Sequence, residues 1–117
     1  MRQNLKELNS IADLDTAIAE SSERPVLLFK HSLTCPISAR AFREFEAFLE
    51  EAEAGAEYKL IIVQTSREVS NEAAARLGLR HESPQAMIVH RGREVWNTSH
   101  FDITAERLRE AVRSFRE

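Results

Sequence analysis

The chain has 117 residues, of which 43% are hydrophobic and 30% are charged, a balance that supports a folded core and excludes a disordered chain. Its net charge of −3, with Lys and Arg dispersed along the chain, argues against nucleic acid as a partner. The strongest apolar runs, VLLF and LIIV, are too short to cross a membrane, and the N-terminus lacks a secretory signal pattern. A single cysteine cannot form an internal disulfide, so we expect one cytoplasmic domain over residues 1–117.

The spacing of apolar residues predicts alternating helices and strands. Apolar residues that recur every three or four positions indicate helices over Asp13–Ser22, from Ile37 to Ala52, from an N-cap at Ser70 to a stop at Gly78, and from Thr104 to Phe115. Short apolar runs indicate strands at Pro25–Lys30, Tyr58–Gln64 and Gln85–His90, with Arg93–Trp96 closing a hairpin. This order predicts an α/β fold with a four-stranded mixed sheet flanked by helices and an additional N-terminal helix.

The only cysteine, Cys35, lies between the first predicted strand and the long helix that follows it. Open α/β sheets place their sites at this edge. Unpaired N–H groups of a first helical turn and the helix dipole favour a thiolate there. Pro36 suits the first helical position, and Ser38 can turn its hydroxyl or its N–H towards the sulfur. A small buried hydrophobe is the alternative role for a free cysteine, but it explains neither the proline nor the junction.

The stretch HESPQ places a proline directly before the third predicted strand. Proline at such a position marks a sheet edge, a strand start or a cis peptide bond. The predicted topology returns this loop beside the helix that begins near Cys35. We therefore expect a cis bond between Ser83 and Pro84 that turns backbone groups towards a ligand on the sulfur.

Four segments, FKHSLTCPIS, REVSNEAA, HESPQ and WNTSHFDIT, together resemble the monothiol bacilliredoxins, the YtxJ-like proteins of the thioredoxin/glutaredoxin superfamily. The resemblance spans nearly the whole chain and implies a thioredoxin-like fold. It also implies an enzyme, a monothiol thiol-disulfide oxidoreductase with a CPIS active site, which removes bacillithiol from S-bacillithiolated client proteins. Bacillithiol would be a co-substrate, and no tightly bound cofactor or metal is implied.

The same resemblance assigns roles to individual residues. Cys35 matches the family's nucleophile, and Ser38 stands where dithiol relatives carry a second cysteine. The resemblance then implies that a second thiol, free bacillithiol, resolves the Cys35 adduct. The groove for the thiol would be shaped by residues beside the nucleophile and beside the predicted cis bond, namely Thr34, Pro36, Ser38, Ser83 and Pro84.

Two other functions remain open from the sequence. A thioredoxin-like binding module could use Cys35 to hold an iron–sulfur cluster between two subunits, although the Pro36-Ile37 pair after the cysteine is stiff and bulky. A redox sensor could react once at Cys35 without turnover. His31, His81 and His100 have no assigned role, although His31 at the end of the first strand could tune the thiolate. One cysteine and widely spaced histidines do not predict a zinc site.

Overall fold

The computed structural model describes residues 5–52 and 54–116. In chain order the elements are β1 (Leu5–Glu7), α1 (Ile11–Glu20), β2 (Val26–His31), α2 (Pro36–Glu50), β3 (Glu57–Ile62), α3 (Arg67–Leu77), β4 (Gln85–His90), β5 (Arg93–Ser99), a 3₁₀ turn (His100–Asp102) and α4 (Ala105–Phe115). Within the described ranges, no helix combines the length and apolarity that crossing a bilayer requires.

The elements form one mixed sheet with the strand order β1-β3-β2-β4-β5. The strands β1, β3 and β2 are parallel, whereas β4 is antiparallel to β2 and β5 is antiparallel to β4. The predicted α/β class with a mixed sheet is confirmed, but the count of four strands is wrong. The fifth strand, β1, has the sequence LKE with one apolar residue, and it is held by backbone pairing of Leu5 with Tyr58 in β3. Such pairing leaves no periodic pattern in the sequence.

The ends of the helices follow ordinary capping chemistry, with one correction. The hydroxyl of Ser10 accepts a hydrogen bond from the backbone N–H of Asp13 at 3.1 Å, so α1 begins earlier than predicted. The predicted N-cap at Ser70 is wrong, because α3 begins at Arg67 and Ser70 is buried inside it. Gly78 ends this helix as predicted, with the positive φ of 65° that glycine adopts without strain.

The central strand β2 is buried along its whole length, and its side chains alternate between two hydrophobic cores. Leu27 and Phe29 pack into the core formed with α2 and α4, whereas Leu28 packs into the core formed with α1 and α3. The same alternation carries the last two residues, Lys30 and His31, into opposite cores. Two ionisable side chains are therefore buried at the carboxyl end of β2, directly before the loop that leads to the cysteine.

Candidate functional site

Cys35 is the N-cap residue of α2 and lies partly exposed at the junction of strand and helix. Its backbone is extended, at φ −106° and ψ 120°, and Pro36 occupies the first helical position, as predicted. The carbonyl of Cys35 accepts the first hydrogen bond of the helix from the N–H of Ala39 at 3.0 Å. The sulfur is therefore reachable from solvent, which does not fit the alternative of a buried structural cysteine.

Ser38 is fully buried, and its hydroxyl is committed to two neighbours. The oxygen accepts the backbone N–H of Ser32 at 2.9 Å and lies 2.8 Å from Nδ1 of His31. Burial lowers the pKa of His31, and the nearby Glu46 opposes this shift only in part. Burial therefore favours the neutral imidazole, whose Nδ1 is in hydrogen-bond contact with the hydroxyl of Ser38.

The hydrogen bonds of Ser38 and the packing of His31 position the loop that carries Cys35. The hydroxyl of Ser38, one of the two groups expected to face the sulfur of Cys35, is hydrogen-bonded to Nδ1 of His31 and accepts the N–H of Ser32. His31 in turn is stacked on Phe42 of α2, with ring centroids 4.5 Å apart and planes at 13°. The side chain of Ser38 therefore joins the end of β2 to the first turn of α2, and it shapes the site by holding the loop between them.

Gln64, just beyond the end of β3, holds the same loop from the other side. Its side-chain oxygen accepts the N–H of Leu33 at 3.0 Å, and its nitrogen donates to the hydroxyls of Ser32 at 2.8 Å and Thr34 at 3.2 Å. In the sequence, Gln64 is predicted only as the end of a strand. An amide at the carboxyl end of a buried parallel strand is the signal that could have identified it, since such ends meet at the site.

The predicted cis peptide bond between Ser83 and Pro84 is confirmed. The antiparallel register pairs Gln85 with Lys30, so the preceding proline lies beside the carboxyl end of β2. The hydroxyl oxygen of Ser83 is buried and has no hydrogen-bond partner among the described residues. The carbonyl of Pro84 accepts the N–H of His100 at 3.1 Å, which joins this loop to the 3₁₀ turn.

A partly buried polar cluster that sequence reasoning missed supports the loop before Pro84. The Lys30 ammonium donates to the carbonyl of Ser70 at 3.0 Å and to Nδ1 of His81 at 3.3 Å. Gln85, the cross-strand partner of Lys30, donates to the carbonyl of Arg80 at 3.2 Å. Two neighbouring side chains of the sheet therefore hold two successive residues of the loop that carries Ser83.

The electrostatics of this cluster are unusual because Lys30 is completely buried. Burial lowers its pKa from 10.5 to about 8. The pKa of His81 is also lowered, first by burial and then by the positive charges of Lys30 and Arg67, so its Nδ1 is available as an acceptor. A buried lysine that bonds to a carbonyl and an imidazole instead of a carboxylate is costly, which indicates a specific role in holding the loop.

The structure thus brings Cys35, Pro36 and Thr34 together at the start of α2, and the paired register of β2 and β4 brings Ser83 and Pro84 to the same sheet edge. Among residues 5–52 and 54–116, no three His, Cys, Asp or Glu side chains are grouped closely enough to hold a metal ion.

Comparison with known proteins agrees with this geometry. The family model "Monothiol bacilliredoxin BrxC" matches residues 6–108. A solved structure described as a proposed oxidoreductase with a thioredoxin fold is 38% identical, with a TM-score of 0.81 over 92% of this chain and 93% of that chain. The thioredoxin of Fasciola hepatica is 20% identical, with a TM-score of 0.76 over 95% of this chain and 99% of that one, and shows the fold alone. The fold is therefore thioredoxin-like, and the chain belongs to the monothiol bacilliredoxin BrxC family.

Proposed function

We propose that this protein removes bacillithiol from S-bacillithiolated client proteins, with Cys35 as the nucleophile. The observation that carries the proposal is the position of the only sulfur nucleophile, partly exposed at the N-cap of α2, in a member of the monothiol bacilliredoxin family. Family membership and the oxidoreductase with a thioredoxin fold support the thiol redox chemistry. A working thiol must stay reduced between turnovers, which suits a reducing cytoplasm.

The reaction takes place in two thiol–disulfide exchanges. The Cys35 thiolate attacks the bacillithiol sulfur of the capped client, a new S–S bond forms, and the client leaves as a thiolate that takes a proton from solvent. The thiolate of free bacillithiol then attacks the bacillithiol sulfur of the disulfide between Cys35 and bacillithiol. Bacillithiol disulfide is released, and Cys35 returns as a thiolate. Over the cycle the client disulfide is exchanged for bacillithiol disulfide, one free bacillithiol is consumed, the client thiol is released, and Cys35 ends unchanged.

The surrounding residues support this chemistry by position. The unpaired N–H groups of the first turn of α2 stabilise negative charge on a sulfur at its N-cap. The orphaned hydroxyl of Ser83 can hydrogen-bond the bound disulfide, and Pro84 presents the adjoining backbone. Because position 38 carries a hydroxyl and Cys35 is the single cysteine, the chain supplies no second thiol, and the second exchange requires an external thiol.

Intact-mass and turnover measurements test the proposal directly. A client protein with one cysteine is capped with bacillithiol, and its uncapping is followed with wild type, with Cys35→Ala and with a glutathione-capped control. We expect the bacillithiol mass on wild type alone, followed by repeated discharge when free bacillithiol is added. A single reaction without discharge would instead support a redox sensor, and visible absorption of the anaerobically purified protein would support iron–sulfur cluster binding.

A further inference from the structure

An exposed pair of side chains lies beside the proposed site and takes no part in the steps described above. Phe101, in the 3₁₀ turn, keeps 61% of its surface exposed, more than any other large hydrophobic side chain of the described residues. The guanidinium carbon of Arg40 on α2 lies over its ring, 5.5 Å from the centroid. This distance is within the range of a cation–π contact, which restricts the orientation of an otherwise flexible arginine.

Both members of the pair are anchored to the site by the backbone. Arg40 lies five residues after Cys35, about 7.5 Å further along the helix axis at the usual rise per residue. Phe101 follows His100, whose N–H donates to the carbonyl of Pro84 at 3.1 Å. His100 has a φ of 55°, a conformation that residues other than glycine rarely adopt and that recurs at functional sites. The turn is therefore held against the loop of the cis bond.

The sequence on the N-terminal side of Arg40 is free of acidic residues, although Glu44 lies one turn later in α2 and Asp102 directly follows Phe101. No acidic residue occurs between Glu23 and Glu44, whereas the chain as a whole carries a net charge of −3. Other arginines of the structure form ion pairs with carboxylates, namely Arg24, Arg76 and Arg109. Among the described residues, Arg40 has no carboxylate partner. Contact with Phe101 occupies one face of the Arg40 guanidinium and leaves its N–H edges directed to solvent. Such edges bind carboxylates through paired hydrogen bonds.

We propose that Arg40, oriented by Phe101, is a subsite for the carboxylates of the low-molecular-weight thiol. The inference rests on the proposed function and specifies which end of the thiol is recognised. Bacillithiol joins its cysteine through glucosamine to malate, so its dicarboxylate lies at the end remote from the sulfur. With the sulfur at Cys35, this end extends along the site edge, where the two N–H edges of Arg40 offer the matching donors.

The test compares caps that differ in charge on one client cysteine. Bacillithiol supplies carboxylates, and 2-mercaptoethanol supplies a neutral cap of the same disulfide chemistry. The rate of transfer of each cap to Cys35 is measured by intact mass for wild type, Arg40→Gln, Phe101→Leu and Arg43→Gln. Arg43 is a matched control, because it is an exposed arginine of the same helix that makes no contact with Phe101 in the structure.

We expect Arg40→Gln to slow transfer of bacillithiol about fivefold, the upper range for an exposed ion pair, and to leave 2-mercaptoethanol transfer unchanged. Phe101→Leu should give a smaller loss with the same selectivity, and Arg43→Gln should stay within twofold of wild type. Equal losses for both caps, or equal losses in the Arg40 and Arg43 variants, would overturn the subsite. Failure of wild type to accept either cap would instead overturn the proposed function.

Discussion

The buried lysine of β2 makes a prediction about stability and pH. Lys30 has a pKa of about 8 in the folded protein, against 10.5 when it is exposed. Between these values the unfolded chain holds a proton that the folded protein has released, so the free energy of unfolding rises with pH. At about 1.36 kcal/mol per unit, the full displacement corresponds to about 3 kcal/mol. About 2 kcal/mol of this is recovered between pH 7 and pH 9.5, and solvent relaxation reduces the observed rise to about 1–2 kcal/mol.

Replacement of Lys30 by Met removes the titrating group and keeps the shape of the side chain. Urea unfolding followed by circular dichroism at several values between pH 7 and pH 9.5 measures the effect. All variants carry Cys35→Ala, because thiol oxidation would otherwise contribute at high pH. Lys59→Met is the matched control, because Lys59 is also buried but is paired with Glu20 at 2.8 Å.

We expect the free energy of unfolding to rise with pH in the parent and in the Lys59 variant. In the Lys30 variant this rise should be absent. At pH 7 the Lys30→Met protein should be close to the parent in stability. Relief of the buried charge is offset there by the lost hydrogen bonds to Ser70 and His81, each worth about 1 kcal/mol. Identical pH profiles for the parent and the Lys30 variant would refute the argument that burial holds this amine near neutrality.

Three further outcomes follow from the site. Ser38→Cys places a thiol one turn from Cys35, within the separation a disulfide allows, and should release bound bacillithiol without added thiol; an adduct that persists in the mass spectrum would show that the geometry is unsuitable. Gln64→Ala should reduce the rate of uncapping several-fold by freeing the loop, whereas Gln64→Glu, which keeps only the acceptor, should have a rate between that of Gln64→Ala and that of wild type. Equal rates for all three proteins would contradict the role of Gln64 in holding the loop. Since the folded pKa of His31 is lowered, stability should fall as pH drops below 6.5, and His31→Asn should reduce that fall in denaturant titrations; an unchanged slope would exclude His31 as a source.

Much of the architecture was accessible from local patterns. The apolar runs around β2 and β4 and the helical spacing of α2 are local properties, because burial of a strand or of a helix face dictates the residue types along it. The junction at Cys35 followed from the same signals, since a proline after the cysteine marks a helix start. The cis bond at Pro84 was accessible through its setting directly before a strand.

What the tertiary structure decided concerns partners that are distant in sequence. Strand β1 exists because Leu5 pairs with Tyr58, and no sequence pattern near Leu5 predicts this pairing. The hydroxyl of Ser38 bonds to His31, because alternation along β2 carries that imidazole into the core beside α2. By itself the sequence determined the apolar faces of the central strands and of the long helix, and the position of the cysteine at their junction, since both depend on neighbouring residue types. The direction of each polar side chain at the site depended on packing between separate elements, which only the folded chain brings together.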